Sequence, residues 1–475
     1  MPGSPRLGVP GMASLFGLAF AVFGLRAGLG RLSDNSFLWH FRTGQWIVDH
    51  GRVPYDDLYS FTVPDQDWVS QSWLAETIYG LLDQLMGPWG VRFLSGLTGA
   101  AVAAGVFGIA LRFARDRVRA ALLTAAALGG SFTLWSERPL FLGLLSFVAL
   151  VWVVEAPASG LGRRPMVSLP VFLWLWANMH GSFALGFAYL GLHVLGRWLE
   201  GAPPWAGRER QLVVGALIAF AALFANPYGV ELVTFPIHLL GRGDILERVV
   251  EWRSPDFRSL TGMCFAAWIA VFVFCLARGR NRPGRRDVLV SLPFLLLALW
   301  AQRNIALVPL VGVPVAARAV AADARPDVVV ARVNVAVTAL LAVMGLAWVV
   351  EAATEGDFDL RRYPVEAMEE VEGRGWLGRR LLTTDAWGGY VIAAYWPEQR
   401  VFFDDRYDMY PVSLTEDYLD FANLRPGWER LLDRYDIEVV VWDRDSAVAG
   451  ALGRLDGWRP AYRDDVAVVY RRDAT

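Results

Sequence analysis

The 475-residue sequence contains no lysine, only two cysteines and five histidines, and its charged residues amount to just 19%. Every basic side chain is an arginine, which reads as the coding bias of a GC-rich genome and not as chemistry. Cys264 and Cys275 share one apolar segment, where eleven residues of helix separate them by roughly 16 Å, too far for a disulfide. A net charge of -2 argues against nucleic acid as a partner, since that would favour a strongly basic face. There is no Walker-type phosphate loop, no His-x-x-x-His pair, no Gly-x-Ser-x-Gly and no Cys-x-x-Cys. These absences argue against ATP-driven, metalloprotease, serine-hydrolase and thiol chemistry.

What is present is apolar: 55% hydrophobic and 13% aromatic residues, with a mean hydropathy of +0.35. Soluble globules carry about a quarter charged residues, so this is expected to be a polytopic α-helical membrane protein. Apolar runs of about 17–25 residues predict spans. They fall near 9–30, 89–111, 119–136, 139–156, 166–179, 181–197, 211–226, 262–277, 288–302, 305–320 and 333–352, eleven in all. The first run is too long for a signal-peptide core and is kept as a helix. In 166–197, two short spans with a turn at Asn178-Met-His180-Gly181 are preferred to one long tilted helix, because arginines flank the region on both sides.

Arginine placement orients the chain, since short cytoplasmic loops accumulate it. Loops 112–119, 157–166, 197–210, 278–287 and 318–332 are roughly fourfold richer in arginine than loops 31–88 and 227–261. This predicts a cytoplasmic N-terminus, with the 31–88 loop and the C-terminus on the other side. Residues 1–352 then form the transmembrane domain. Residues 353–475 form a small soluble α/β domain, with strands around 380–385, 400–404, 438–442 and 466–470 and helices in Leu414–Tyr435 and Ala447–Trp458.

The stretch from Leu32 to Glu76 is polar enough to leave the membrane yet rich in Trp, Phe, Tyr and His, as membrane–water boundaries are. It reads as the working surface. Asp34, just beyond the first helix, could act as a general base or hold a metal, or could simply cap a helix starting near Ser36. Trp39 and His40 follow it. Glu137 lies in the short turn Trp135-Ser-Glu137-Arg138-Pro139, where it is either functional or a local partner of Arg138. His180 can donate to a phosphate or sugar hydroxyl or serve a structural role. Asn226-Pro-Tyr228-Gly229 is largely turn chemistry, with Tyr228 the side chain able to touch a ligand. Arg253, after Glu251-Trp252, and Arg303, in Gln302-Arg303-Asn304, suit a phosphate or a salt bridge to a loop carboxylate. On the predicted topology all of these share one face.

The acidic residue after the first helix, the long outer loop, the second acidic residue after the third helix, about eleven spans and an outward C-terminal domain together resemble the GT-C superfamily of membrane glycosyltransferases. Leu38-Trp39-His40 with Thr43-Gly44, Pro54 with Asp57 and Ser60-Phe-Thr62, Trp73-Leu74, Asn178-Met-His180-Gly181, Asn226-Pro-Tyr-Gly229 and Phe403-Asp404-Asp405-Arg406 are similar to a group of bacterial GT-C-like proteins.

The resemblance implies an inverting transfer of a sugar from a polyprenyl-phosphate donor to a glycan, lipid or protein acceptor, outside the inner membrane of a bacterium. Asp34 would deprotonate the acceptor hydroxyl, Glu137 would orient the acceptor or a divalent Mg or Mn ion, and Arg303 or His180 would hold the lipid phosphate. The superfamily's acidic motif is often a doublet, whereas Asn35 follows Asp34 here. The rival expectation is a non-catalytic assembly or lipid-glycan-binding protein acting through its C-terminal domain, with a transporter third.

Overall fold

The computed structural model describes residues 9–155, 164–246, 249–323 and 327–473; Arg163, Glu247 and Arg248 of the loops above lie outside them. The chain packs as two units. The first comprises Met1–Gly30, Pro88–Pro236 and Glu247–Glu355, and the second Arg31–Gly87, Ile237–Leu246 and Gly356–Thr475. The loop 31–87 therefore packs with the C-terminal residues and not with the helices that flank it in sequence.

In chain order the helices through the first unit and its loops are α1 Met12–Gly28, α2 Asn35–His50, α3 Trp73–Met86, α4 Pro88–Ala114, α5 Arg117–Gly129, α6 Pro139–Glu155, α7 Pro165–Met179 and α8 Phe183–Leu199. They continue with α9 Gly207–Ala222, α10 Val230–Leu240, α11 Gly243–Leu246, α12 Leu260–Arg278, α13 Arg285–Trp300, α14 Leu307–Ala319 and α15 Ala331–Thr354. Each of the eleven apolar runs coincides with one of these helices. Among the described residues, α4, α12 and α15 are long and apolar enough to cross a membrane, while α1, α6, α7, α8, α10 and α14 are shorter apolar helices. The 166–197 region is two helices, broken where His180 takes an extended backbone.

Hydrogen bonds sort the ends of the first unit's helices. At one end the start of α1 is tied to the start of α15, with Met12 donating to the Val328 carbonyl at 3.1 Å and Asn334 to that of Pro10 at 2.7 Å. Arg285 bonds the Leu199 carbonyl, Asn281 that of Arg318, and Ala322 that of Ala114. The described parts of loops 112–119, 197–210, 278–287 and 318–332 thus lie at the same end of the first unit as the start of α1. Here too Glu155 lies 2.8 Å from Arg318 and 3.4 Å from His193, while Arg318 lies 2.6 Å from Asp287. At the opposite end the fully buried Arg92 donates to the carbonyls of Leu29, Gly30 and Ala352, closing the C-termini of α1 and α15. A cation there complements the negative ends of both helix dipoles.

The second unit contains α2, α3 and the C-terminal fold: α16 Val365–Gly373, α17 Asp385–Tyr395, α18 Val412–Ala422, α19 Arg430–Arg434, α20 Ala447–Leu452 and a four-stranded sheet. Strands β1 Leu381–Thr383, β2 Val439–Asp443, β3 Trp458–Arg463 and β4 Ala467–Arg472 lie in the order β1-β2-β4-β3, with β1 and β2 parallel and the rest antiparallel.

Three sequence expectations need correction here. Residues 400–404 form no sheet strand, because Val401 pairs instead with the 31–87 loop, donating to Tyr59 and accepting from Phe61. The helix expected over Ala447–Trp458 stops at Leu452 and gives way to β3, whose exposed Arg459, Pro460 and Arg463 hide the strand pattern. The Leu414–Tyr435 helix breaks at Arg425-Pro426-Gly427, where proline removes a donor and Gly427 turns at φ 85°.

Candidate functional site

In the second unit the chemistry gathers on the first two turns of α2. Asp34 caps this helix, accepting from the Phe37 amide at 3.1 Å, so the capping role is realised. Asn35, Ser36 and Trp39 all donate to the carboxylate of Asp405, Asn35 at 2.6 Å and the Trp39 indole at 2.7 Å. An anion held at a helix N-terminus is favoured by the helix dipole.

His40 points its Nδ1 at Glu76, 2.7 Å away on α3, and the other oxygen of Glu76 accepts from the Ser70 hydroxyl. Glu76 is fully buried. This contact exists because α2 and α3 cross with almost no side chain between them. A Cβ on Gly44 would stand 2.1 Å from the Glu76 carbonyl, and one on Gly80 would stand 2.2 Å from that of Gly44. His40 and Glu76 lie one turn before Gly44 and Gly80, on the faces this crossing presses together.

Beside them, Arg406 lies between two carboxylates, 2.8 Å from Asp57 and 2.7 Å from Asp404, with all three side chains fully buried. The rings of Trp68, Tyr59, Tyr410 and Trp39 surround it at 4.7 to 6.0 Å. Burial alone would lower the basicity of this guanidinium, but Asp404 and Asp57 hold it well above its ordinary value. It stays charged.

In the first unit, Arg138 pairs with Glu251, a carboxylate from a distant loop, at 2.6 Å. Arg303 stacks over Trp252 at 4.5 Å, and the Arg253 carbonyl accepts from the Gln302 amide at 2.9 Å, binding the two short turns together. Burial pushes the Glu251 carboxyl up, but the guanidiniums of Arg138 and Arg303 outweigh it and leave it below the usual range. Arg253, Arg303 and the turn bearing Glu137 and Arg138 are thus brought to one place.

His180 accepts from the Ser182 amide at Nδ1, 3.0 Å, which leaves Nε2 as the protonated nitrogen of the neutral ring. Tyr228 is buried within a turn in which its amide donates to Asn226 Oδ1 at 2.7 Å. Among the described residues no group of three or more His, Cys, Asp or Glu side chains is arranged to hold a metal ion.

Sequence reasoning missed Glu76, Ser70 and Asp405 as partners of His40 and Trp39. The paired spacing of Gly44 after His40 and Gly80 after Glu76 is the one local signal that could have suggested the first contact.

No protein-family model and no curated protein matches the sequence. Solved structures do. The archaeal oligosaccharyltransferase AglB from Archaeoglobus fulgidus, in complex with an inhibitory peptide and a dolichol-phosphate, superposes with a TM-score of 0.53 at 11% identity over 90% of this chain and 69% of that one. ArnT from Cupriavidus metallidurans bound to undecaprenyl phosphate gives 0.51 at 12% identity over 96% and 97%. A mutant of the mycobacterial arabinofuranosyltransferase AftD gives 0.52 at 16% over 99% of this chain and 42% of that one. The chain has the fold of the GT-C membrane glycosyltransferases.

Proposed function

We propose that this protein is a polytopic membrane glycosyltransferase that moves a sugar from a polyprenyl-phosphate donor to an acceptor hydroxyl. The observation that carries the reading is the GT-C fold with an acidic residue, Asp34, placed directly after the first apolar helix. Support for a lipid-linked donor comes from the dolichol-phosphate and undecaprenyl phosphate bound to two proteins of like fold.

In the proposed reaction the acceptor oxygen attacks the anomeric carbon with inversion, its proton passes to Asp34, and the bond to the phosphate oxygen breaks with the electron pair leaving on the phosphate. One Asp34 oxygen caps α2 while the other is assigned to the base role. Glu137 is assigned to the acceptor, and Arg303, Arg253, His180 and Tyr228 to the donor phosphate and its sugar, with Trp39 and His40 beside Asp34. Cations at a developing phosphate charge are the most effective stabilisers of such a transfer. The eleven-span count, the cytoplasmic N-terminus, the extracytoplasmic C-terminal unit and a bacterial inner membrane belong to the same proposal.

The test is Asp34→Asn in membranes that support transfer. Activity should be lost while folding and lipid binding persist; retained activity overturns the assignment of Asp34. The cap itself tolerates asparagine, since Asn and Asp are comparable N-caps.

A further inference from the structure

Glu76 is a carboxylate with no water around it, and such a group is stable only when its oxygens are paired. One oxygen takes the Ser70 hydroxyl and the other faces His40 Nδ1, which fixes the ring tautomer: the proton of the neutral imidazole sits on Nδ1. The ring also packs against Trp39, with centroids 3.6 Å apart and planes tilted by 31°, and the Trp39 indole is itself anchored on Asp405. His40 is therefore fixed in both tautomer and orientation. Its second nitrogen, Nε2, makes no hydrogen bond among the described residues and is not sealed from solvent. A histidine serving packing alone would be expected to have both nitrogens satisfied or shielded. Here one nitrogen is secured by Glu76, which Ser70 braces in turn, and the other is left available.

We propose that His40 is the group that carries a proton to the departing lipid phosphate, with Glu76 as its positioning residue. This rests on the glycosyltransferase reading and adds to it the pH dependence of donor handling. The imidazolium binds the phosphate through Nε2–H, while Nδ1–H stays on the Glu76 carboxylate. As the bond from the anomeric carbon to the phosphate oxygen breaks, the oxygen keeps the electron pair and takes the Nε2 proton. His40 is left neutral, with Nδ1–H still on Glu76, and is reprotonated from water. The charged and titratable groups around the ring are Glu76 from α3, Asp34 at the start of α2, Asp405, Asp404 and Arg406 from the C-terminal segment, and Asp57 and Tyr59 from the 31–87 loop.

The experiment measures undecaprenyl phosphate binding to the full-length protein in detergent from pH 5.5 to 8.5, for wild type and for His40→Asn, which keeps an amide near Nδ1 and deletes Nε2. The phosphate titrates in this range as well, so the ratio of the two affinities is the informative quantity. It should be about tenfold at the acid end, as for one charge-assisted hydrogen bond, and fall towards unity at the alkaline end. Glu76→Gln should shrink the advantage at the acid end, because the ring loses the carboxylate that orients it.

Equal binding by wild type and His40→Asn at every pH overturns the dyad and leaves the transferase reading standing. Absence of binding by the wild type at every pH overturns both. Should the variants fail to fold, diethyl pyrocarbonate modification of the wild type decides, read by peptide mass spectrometry. Undecaprenyl phosphate should protect His40 from the reagent, and undiminished modification at saturating lipid overturns the proposal.

Discussion

Arg406 lies 2.8 Å from Asp57, a residue 349 positions earlier in the chain, and neither side chain is exposed to solvent. The contact fastens the 31–87 loop to the C-terminal segment, and Asp57 in turn accepts from the Tyr59 and Ser60 amides, so one guanidinium orders the loop's central bend. Removing one partner of a buried ion pair leaves an uncompensated charge. Arg406→Met is therefore expected to destabilise the second unit by about 3–5 kcal/mol. Thermal unfolding in detergent checks this, and an unchanged midpoint would show that the pair is not buried as described.

The crossing of α2 and α3 makes a second demand. Neither Gly44 nor Gly80 has room for a methyl group, since each Cβ would strike backbone and not a movable side chain. Gly44→Ala and Gly80→Ala should each cost about 1–3 kcal/mol and force the helices apart. Because His40 and Glu76 lie one turn away, the same variants should reduce lipid-phosphate binding before they unfold the protein. Alanine tolerated at both positions with binding intact would count against the crossing.

Acid sensitivity is expected around Glu251. Its folded-state carboxyl sits below the ordinary glutamate range because Arg138 and Arg303 outweigh the effect of burial. The pair therefore adds stability that is fully present above the ordinary value, about 4.3, and is lost as pH falls through the depressed one. The carboxylate is half-exposed and screened by solvent, so the contribution is small, about 0.5–1 kcal/mol. Glu251→Gln should lower the melting temperature at pH 7, and the deficit should shrink as the pH is lowered below the ordinary glutamate value; a deficit that stays constant with falling pH would assign the loss to something other than charge.

Much of this organisation is legible in the sequence, and what is not has identifiable causes. Helices in an apolar solvent must bury every backbone group internally, so the long apolar runs mark them plainly. Asp34 followed by an amphipathic run is a readable N-cap, and the structure realises it. Strands β1, β2 and β4 are runs of Leu and Val that the sheet buries. By contrast β3 is short of apolar residues, and Phe402-Phe403 is apolar without being a strand because its neighbour Val401 pairs with a segment more than 300 residues away. The same distance hides the pairing of Arg406 with Asp57. The reach of Arg138 to Glu251 is equally hidden, because it is set by how the loops meet and not by neighbours in sequence.

Every role assigned above depends on the protein handling a polyprenyl-phosphate. The most direct measurement is native mass spectrometry of the purified full-length protein with undecaprenyl phosphate, comparing wild type with Arg303→Ala. Arg303 is stacked on Trp252 and shares its surroundings with Glu251 and Arg138, so its removal should leave the fold intact while deleting a cation suited to the phosphate. The wild type should carry a specific lipid adduct that is lost or reduced at least about tenfold in the variant, the value of one charge-assisted contact. A wild type that binds no lipid phosphate would contradict those roles.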